Sequence, residues 1–127
     1  MFKSSQSSHV KARQYSRKGT FADLLIRHVR DRGGDAPSVY TAARIDRRTY
    51  SSIVSHPFRP VSKRTAIQFA LALHLERSDA DALLLAAGYA LSPSIPEDIA
   101  FAELIEEGEY DMFTVSAKLE ELGLKTI

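Results

Sequence analysis

The chain has 127 residues, enough for one ordinary domain with its own core. It contains no Cys, which excludes disulfides, thiolate zinc sites, iron–sulfur clusters and cysteine nucleophiles. Its net charge of +1 conceals opposed halves: residues 1–77 carry 15 Lys/Arg against 5 Asp/Glu, and residues 78–127 carry 2 against 11, so the first half attracts a polyanion and the second repels one.

Residues 1–19 read as a flexible basic arm, Ser-rich, with five Lys/Arg and no acid. This segment has no apolar stretch of signal-peptide length. The longest apolar run, residues 82–90, is broken by Gly88 and is far shorter than a membrane span. A soluble cytoplasmic protein is expected.

After the arm come helix signals and no strand signals. Thr20 caps a helix over residues 21–32, with Phe21, Leu25 and Val29 one turn apart and Gly33-Gly34 as its stop. Asp35 caps a short helix ending near Arg44, with Pro37 in its first turn. Asp46 caps a third helix over residues 47–55, before His56-Pro57. Ser62 caps a fourth, apolar nearly all round from 66 to 75 and therefore central. Ser78 and Asp81 have capping-box spacing for a fifth helix, which Gly88 ends. A sixth helix spans residues 96–107, with Glu97 and Asp98 at its positive dipole end. A seventh starts at Thr114 and ends at Gly123. The fold class is all-α.

The most informative stretch is residues 42–56, AARIDRRTYSSIVSH. Helical spacing puts Ile45, Tyr50 and Ile53 on an inward side and frees Arg47, Arg48, Ser51 and Ser52 on the other. Two Arg at a helix start oppose the dipole, a local cost that points to a functional use. Arg there can pair with guanine O6 and N7 in the major groove. Lys63 and Arg64 also open a helix against the dipole and are candidate phosphate contacts, and Arg59 in the preceding loop is another.

This stretch resembles the lambda-repressor-like (Cro/repressor, XRE) helix-turn-helix family. The resemblance covers residues 20–88. It rests on Ala43, Ile45, the string from Asp46 to Ser51, Ile53, and Pro60 with Lys63 before a core helix. Leu83, Leu84 and the string from Ala87 to Ser92 are similar to a subgroup with a short C-terminal helical appendage. Tyr40, Arg44 and Val54 stand where family members usually carry a small residue, Gly and Glu. The resemblance implies a five-helix bundle over residues 20–92, after the arm of residues 1–19, and a two-helix acidic appendage over residues 93–127. It also implies double-stranded DNA as partner, helix 47–55 in the major groove, and a homodimer.

Other chemistries find no footing. His9, His28, His56 and His74 lack metal-ligand spacing, and His28 and His74 fall on or near apolar faces, as core histidines do. The acids from Glu103 to Asp111 have no EF-hand spacing. Gly33-Gly34 is no phosphate loop, and no acid–His–Ser set can be assembled. The expectation is no enzyme activity, no catalytic or metal residue and no cofactor. Two functions remain. One is a DNA-binding transcriptional regulator using Arg47, Arg48, Ser51, Ser52, Arg59, Lys63 and Arg64. The other is an antitoxin-like interaction adaptor without sequence-specific DNA reading, whose acidic C-terminal half binds a protein partner. The apolar side chains of residues 101–127 exceed what two short helices bury alone, so they pack on the bundle or on another chain.

Overall fold

A computed structural model describes residues 17–32 and 34–127. Most of the arm therefore lies outside the described residues. Among those described there are seven helices and no strand: α1 (Phe21–Asp31), α2 (Ala36–Ala42), α3 (Arg47–Ser55), α4 (Lys63–Ala72), α5 (Arg77–Ala86), α6 (Pro96–Glu107) and α7 (Met112–Glu121). None is long and apolar enough to cross a membrane.

The first four helices start where their caps dictate. The side chains of Thr20, Asp35, Asp46 and Ser62 each accept the backbone N–H three residues on, at 3.1, 2.8, 2.7 and 3.1 Å. Each such cap contributes about 1 kcal/mol.

Three boundaries differ from the sequence expectation. α4 ends at Ala72, not at 75, because His74 adopts a left-handed conformation (φ 55°). That turn keeps Leu73 and Leu75 both buried. α5 begins at Arg77, not after Ser78, and its N-cap Glu76 makes no side-chain cap bond. Tertiary anchors set this start: buried Leu75 precedes it, and Arg77 pairs with Asp81 and with Glu106 of α6. α7 begins at Met112 because Asp111 is the cap, accepting both N–H and O–H of Thr114.

One apolar cluster runs through Phe21 and Leu25 of α1, Ile67 and Phe69 of α4, Leu83 and Leu84 of α5, Phe101 and Leu104 of α6, and Val115 and Leu119 of α7. The apolar surplus of residues 101–127 is thus mostly used inside the chain. Phe113 (76% exposed) and Leu122 stay outside. The phenol of Tyr110 donates to the Leu75 carbonyl, and that of Tyr89 to the Val61 carbonyl. His28 is half-buried. His74, expected in the core, is exposed and stacks on Tyr110 with centroids 4.6 Å apart, because the left-handed turn carries it outward.

Candidate nucleic-acid interface

The α2–α3 unit is fixed from beneath by aromatic rings. Tyr40 of α2 packs on Tyr50 of α3 at 5.3 Å, Tyr50 on Phe69 of α4 at 6.1 Å, and Phe69 on Phe21 of α1 at 6.3 Å. Burial, with the neighbouring Tyr40, pushes the Tyr50 phenol above its ordinary value. Ile53 is buried on the same side. The turn between α2 and α3 depends on Arg44, whose φ is 59°. Gln68 of α4 donates to the Ala43 carbonyl at 2.7 Å and satisfies the end of α2.

This anchoring leaves the other side of α3 in solvent. Arg47, Arg48 and Ser51 are exposed. Among the described residues neither guanidinium forms a hydrogen bond or ion pair. Arg48 acts on Asp46 only through its field. The Asp46 carboxyl lies below the ordinary carboxylate range, chiefly through the Thr49 backbone N–H, then the Thr49 hydroxyl, with Arg48 adding to it.

Ser52 and Arg59 are joined: the guanidinium donates to Ser52 Oγ at 2.9 Å. With Arg48 they line a groove of about 350 Å³ between α3 and the start of α4. Thr49, Ser62 and Thr65 also line it, with the Ser62 hydroxyl donating to that of Thr65 at 2.9 Å. From sequence, Ser62 is expected only as a helix cap, and no signal marks Thr49 or Thr65 as part of a groove. Nothing in the local pattern reveals that α3 and the start of α4 border one groove.

Lys63 and Arg64, expected on phosphates, are engaged elsewhere. Lys63 Nζ lies 2.6 Å from Asp98 Oδ2, on a carboxylate only 2% exposed. Arg64 holds both oxygens of Glu97, at 2.8 and 3.3 Å, and donates to the carbonyls of Lys125 and Thr126. Its guanidinium also sits 5.2 Å from the Phe101 ring centre. The Glu97 carboxyl is lowered, first by the Arg64 hydrogen bond. Arg44 donates to the Ile127 carbonyl, which Ser116 also holds. These cations therefore fasten α6 and the 125–127 segment to the bundle. The structure brings Arg48, Ser52 and Arg59 together, sets Arg47 and Ser51 beside them on α3, and turns Lys63 and Arg64 toward α6.

Among the described residues, no three His, Asp or Glu side chains converge as a metal site would require. Comparison with family models, with curated proteins and with solved structures gives no match to this chain.

Proposed function

We propose that the chain is a DNA-binding protein of lambda-repressor-like architecture, a transcriptional regulator that lays α3 in the major groove of duplex DNA. The observation that carries this reading is the pair Arg47 and Arg48. They project from the start of a capped, internally anchored helix, and among the described residues neither forms an ion pair, although the chain has 16 acids. Folded, exposed cations held in no ion pair suit a polyanion interface. Arg47 and Arg48 are assigned to base edges and Ser51 to a lesser polar contact. Arg59 and Ser52, in the groove beside α3, are assigned to a phosphate. Lys63 and Arg64 contribute indirectly, by holding α6 against α4.

A single such unit reads few base pairs, so the functional form is a pair on half-sites about 34–36 Å apart. The buried residues of α6 and α7 do not supply that interface, since they are consumed within the chain.

Selection from a random duplex library, followed by anisotropy titrations across a salt series, tests the proposal. On the selected site, Arg47→Ala or Arg48→Ala should cost about 1–3 kcal/mol and relax preference at one base pair. Arg59→Ala should weaken all sequences alike and flatten the log–log salt slope by about 0.9. Salt-insensitive absence of binding to any duplex refutes the proposal and leaves the adaptor reading. The occupied Lys63 and Arg64 are the observation favouring that second reading, because they reduce the cations open to DNA.

A further inference from the structure

The outer face of α5 and α6 carries none of the residues assigned to DNA in that proposal. The Arg77–Glu106 ion pair, at 2.6 Å, joins the start of α5 to the end of α6, so the two helices run antiparallel. Helical spacing from Arg77 then carries Asp81 and Leu85 along one stripe of α5. The same spacing back from Glu106 carries Ala102 and Ile99 along a stripe of α6, with Ile95 at the cap just before the helix. Eight residues separate Arg77 from Leu85, and seven separate Glu106 from Ile99, so Leu85 and Ile99 come to the same level.

Their exposure is unusual. Leu85 is 71% exposed, Ile95 46% and Ile99 39%, and Ala82 is exposed beside them. Leu85 and Ile99, with Ile95 at the cap of α6, make an apolar strip rather than scattered surface residues. Its border is acidic, with Asp81, Glu103 and Glu106 all exposed. Arg77 is the one cation on these stripes, and no Lys or Arg occurs from residue 78 to 117.

We infer that this face is a docking surface for a basic amphipathic helix of a partner protein, whose apolar stripe lies over Leu85 and Ile99 and whose flanking Lys or Arg meets Glu103, while Asp81 and Glu106 are held by Arg77. Apolar anchors within a charged rim are the usual anatomy of helix recognition. Charge decides among occupants. A second copy applied through the same face would set three acids and one cation against the same set, a like-charge juxtaposition. Nucleic acid would be repelled. A cationic helix satisfies both the strip and its rim.

The test uses the full chain and a synthetic helical peptide of Leu and Lys at amphipathic spacing, titrated by calorimetry. A scrambled peptide of the same composition is the control. Micromolar binding is expected, weakened about tenfold by Leu85→Ser or Ile99→Ser and by the scramble. Glu103→Gln should weaken it severalfold and reduce its salt dependence. Arg47→Ala should leave it unchanged, which separates this outcome from the fate of the DNA proposal. All these positions are exposed, and circular dichroism verifies that each variant folds. Equal binding of the scrambled peptide, or indifference to both Ser variants, overturns the inference. Self-association in sedimentation that Leu85→Ser abolishes also overturns it, in favour of a second copy.

Discussion

Replacing Lys63 by Met removes the ammonium from a carboxylate that has almost no access to water. Asp98 is 2% exposed, and its Oδ2 accepts Lys63 Nζ at 2.6 Å and Ser92 N–H at 2.9 Å. After the substitution that charge keeps one backbone donor. Removing one partner of a buried pair costs about 3–5 kcal/mol, most of it the penalty of the stranded ion. The Lys63 side chain is 27% exposed, so water reaches the vacated side and the lower end, about 3 kcal/mol, applies. That is a large share of the roughly 5–15 kcal/mol typical of a domain. It corresponds to a Tm lower by roughly 10–15 °C. The double variant Lys63→Met/Asp98→Leu removes both charges and should recover at least half of the loss, less about 1 kcal/mol for the acceptor withdrawn from Ser92 N–H. Urea unfolding followed by far-UV circular dichroism measures all three chains. A single variant costing under about 1 kcal/mol, or a double variant no better than the single, refutes the reasoning that Asp98 is a buried, paired charge.

The turn at Arg44 gives a second expectation: Arg44→Gly should stay within about 1 kcal/mol of the parent, since relief at φ 59° offsets the lost bond to the Ile127 carbonyl, whereas β-branched Arg44→Val should cost about 1–2 kcal/mol in the same unfolding assay. Acid should destabilise the fold. The carboxyls of Asp23, Asp35, Asp46, Glu97 and Asp111 all lie below their ordinary values, so they add stability above the unfolded-state range near pH 4 and lose it as pH falls through their folded values. Glu97→Gln should remove part of that dependence, read from urea midpoints at pH 7 and pH 3. Truncation after Ser92 removes Phe101, Leu104, Val115 and Leu119 from the shared cluster, so calorimetry should find no cooperative transition; a sharp, reversible melt would refute this.

Local chemistry made the helices legible. Thr20, Asp35, Asp46 and Ser62 act within three residues of themselves, so sequence alone places their helices. Asp111 has the same signature, and taking Thr114 as the start mistook a donor to the cap for the cap itself. The start of α5 was not legible, because Leu75 burial and the Arg77–Glu106 pair fix it from outside the segment. The same distinction governs the site. The exposure of Arg47, Arg48 and Ser51 was legible from periodicity on one helix. Lys63, Arg64, Glu97 and Asp98 were each noticed, but as four separate dipole effects. Their pairing spans 33 to 35 residues and no local pattern encodes it.

The fastenings of α6 and the 125–127 segment also bear on the order of assembly. Helix caps close loops of three residues, whereas Arg44 meets Ile127 across 83 positions and Arg64 meets Lys125 across 61. Contacts between distant segments bear their chain-closure entropy before they reward it, so they form after the local ones. The ties of the 125–127 segment to Arg44 and Arg64 therefore close after the helix caps. Interactions absent from the folding transition state set how fast the native chain comes apart rather than how fast it forms. By that reasoning the tie of the 125–127 segment is a kinetic lock, expected to bear on the lifetime of the folded protein more than on its folding rate.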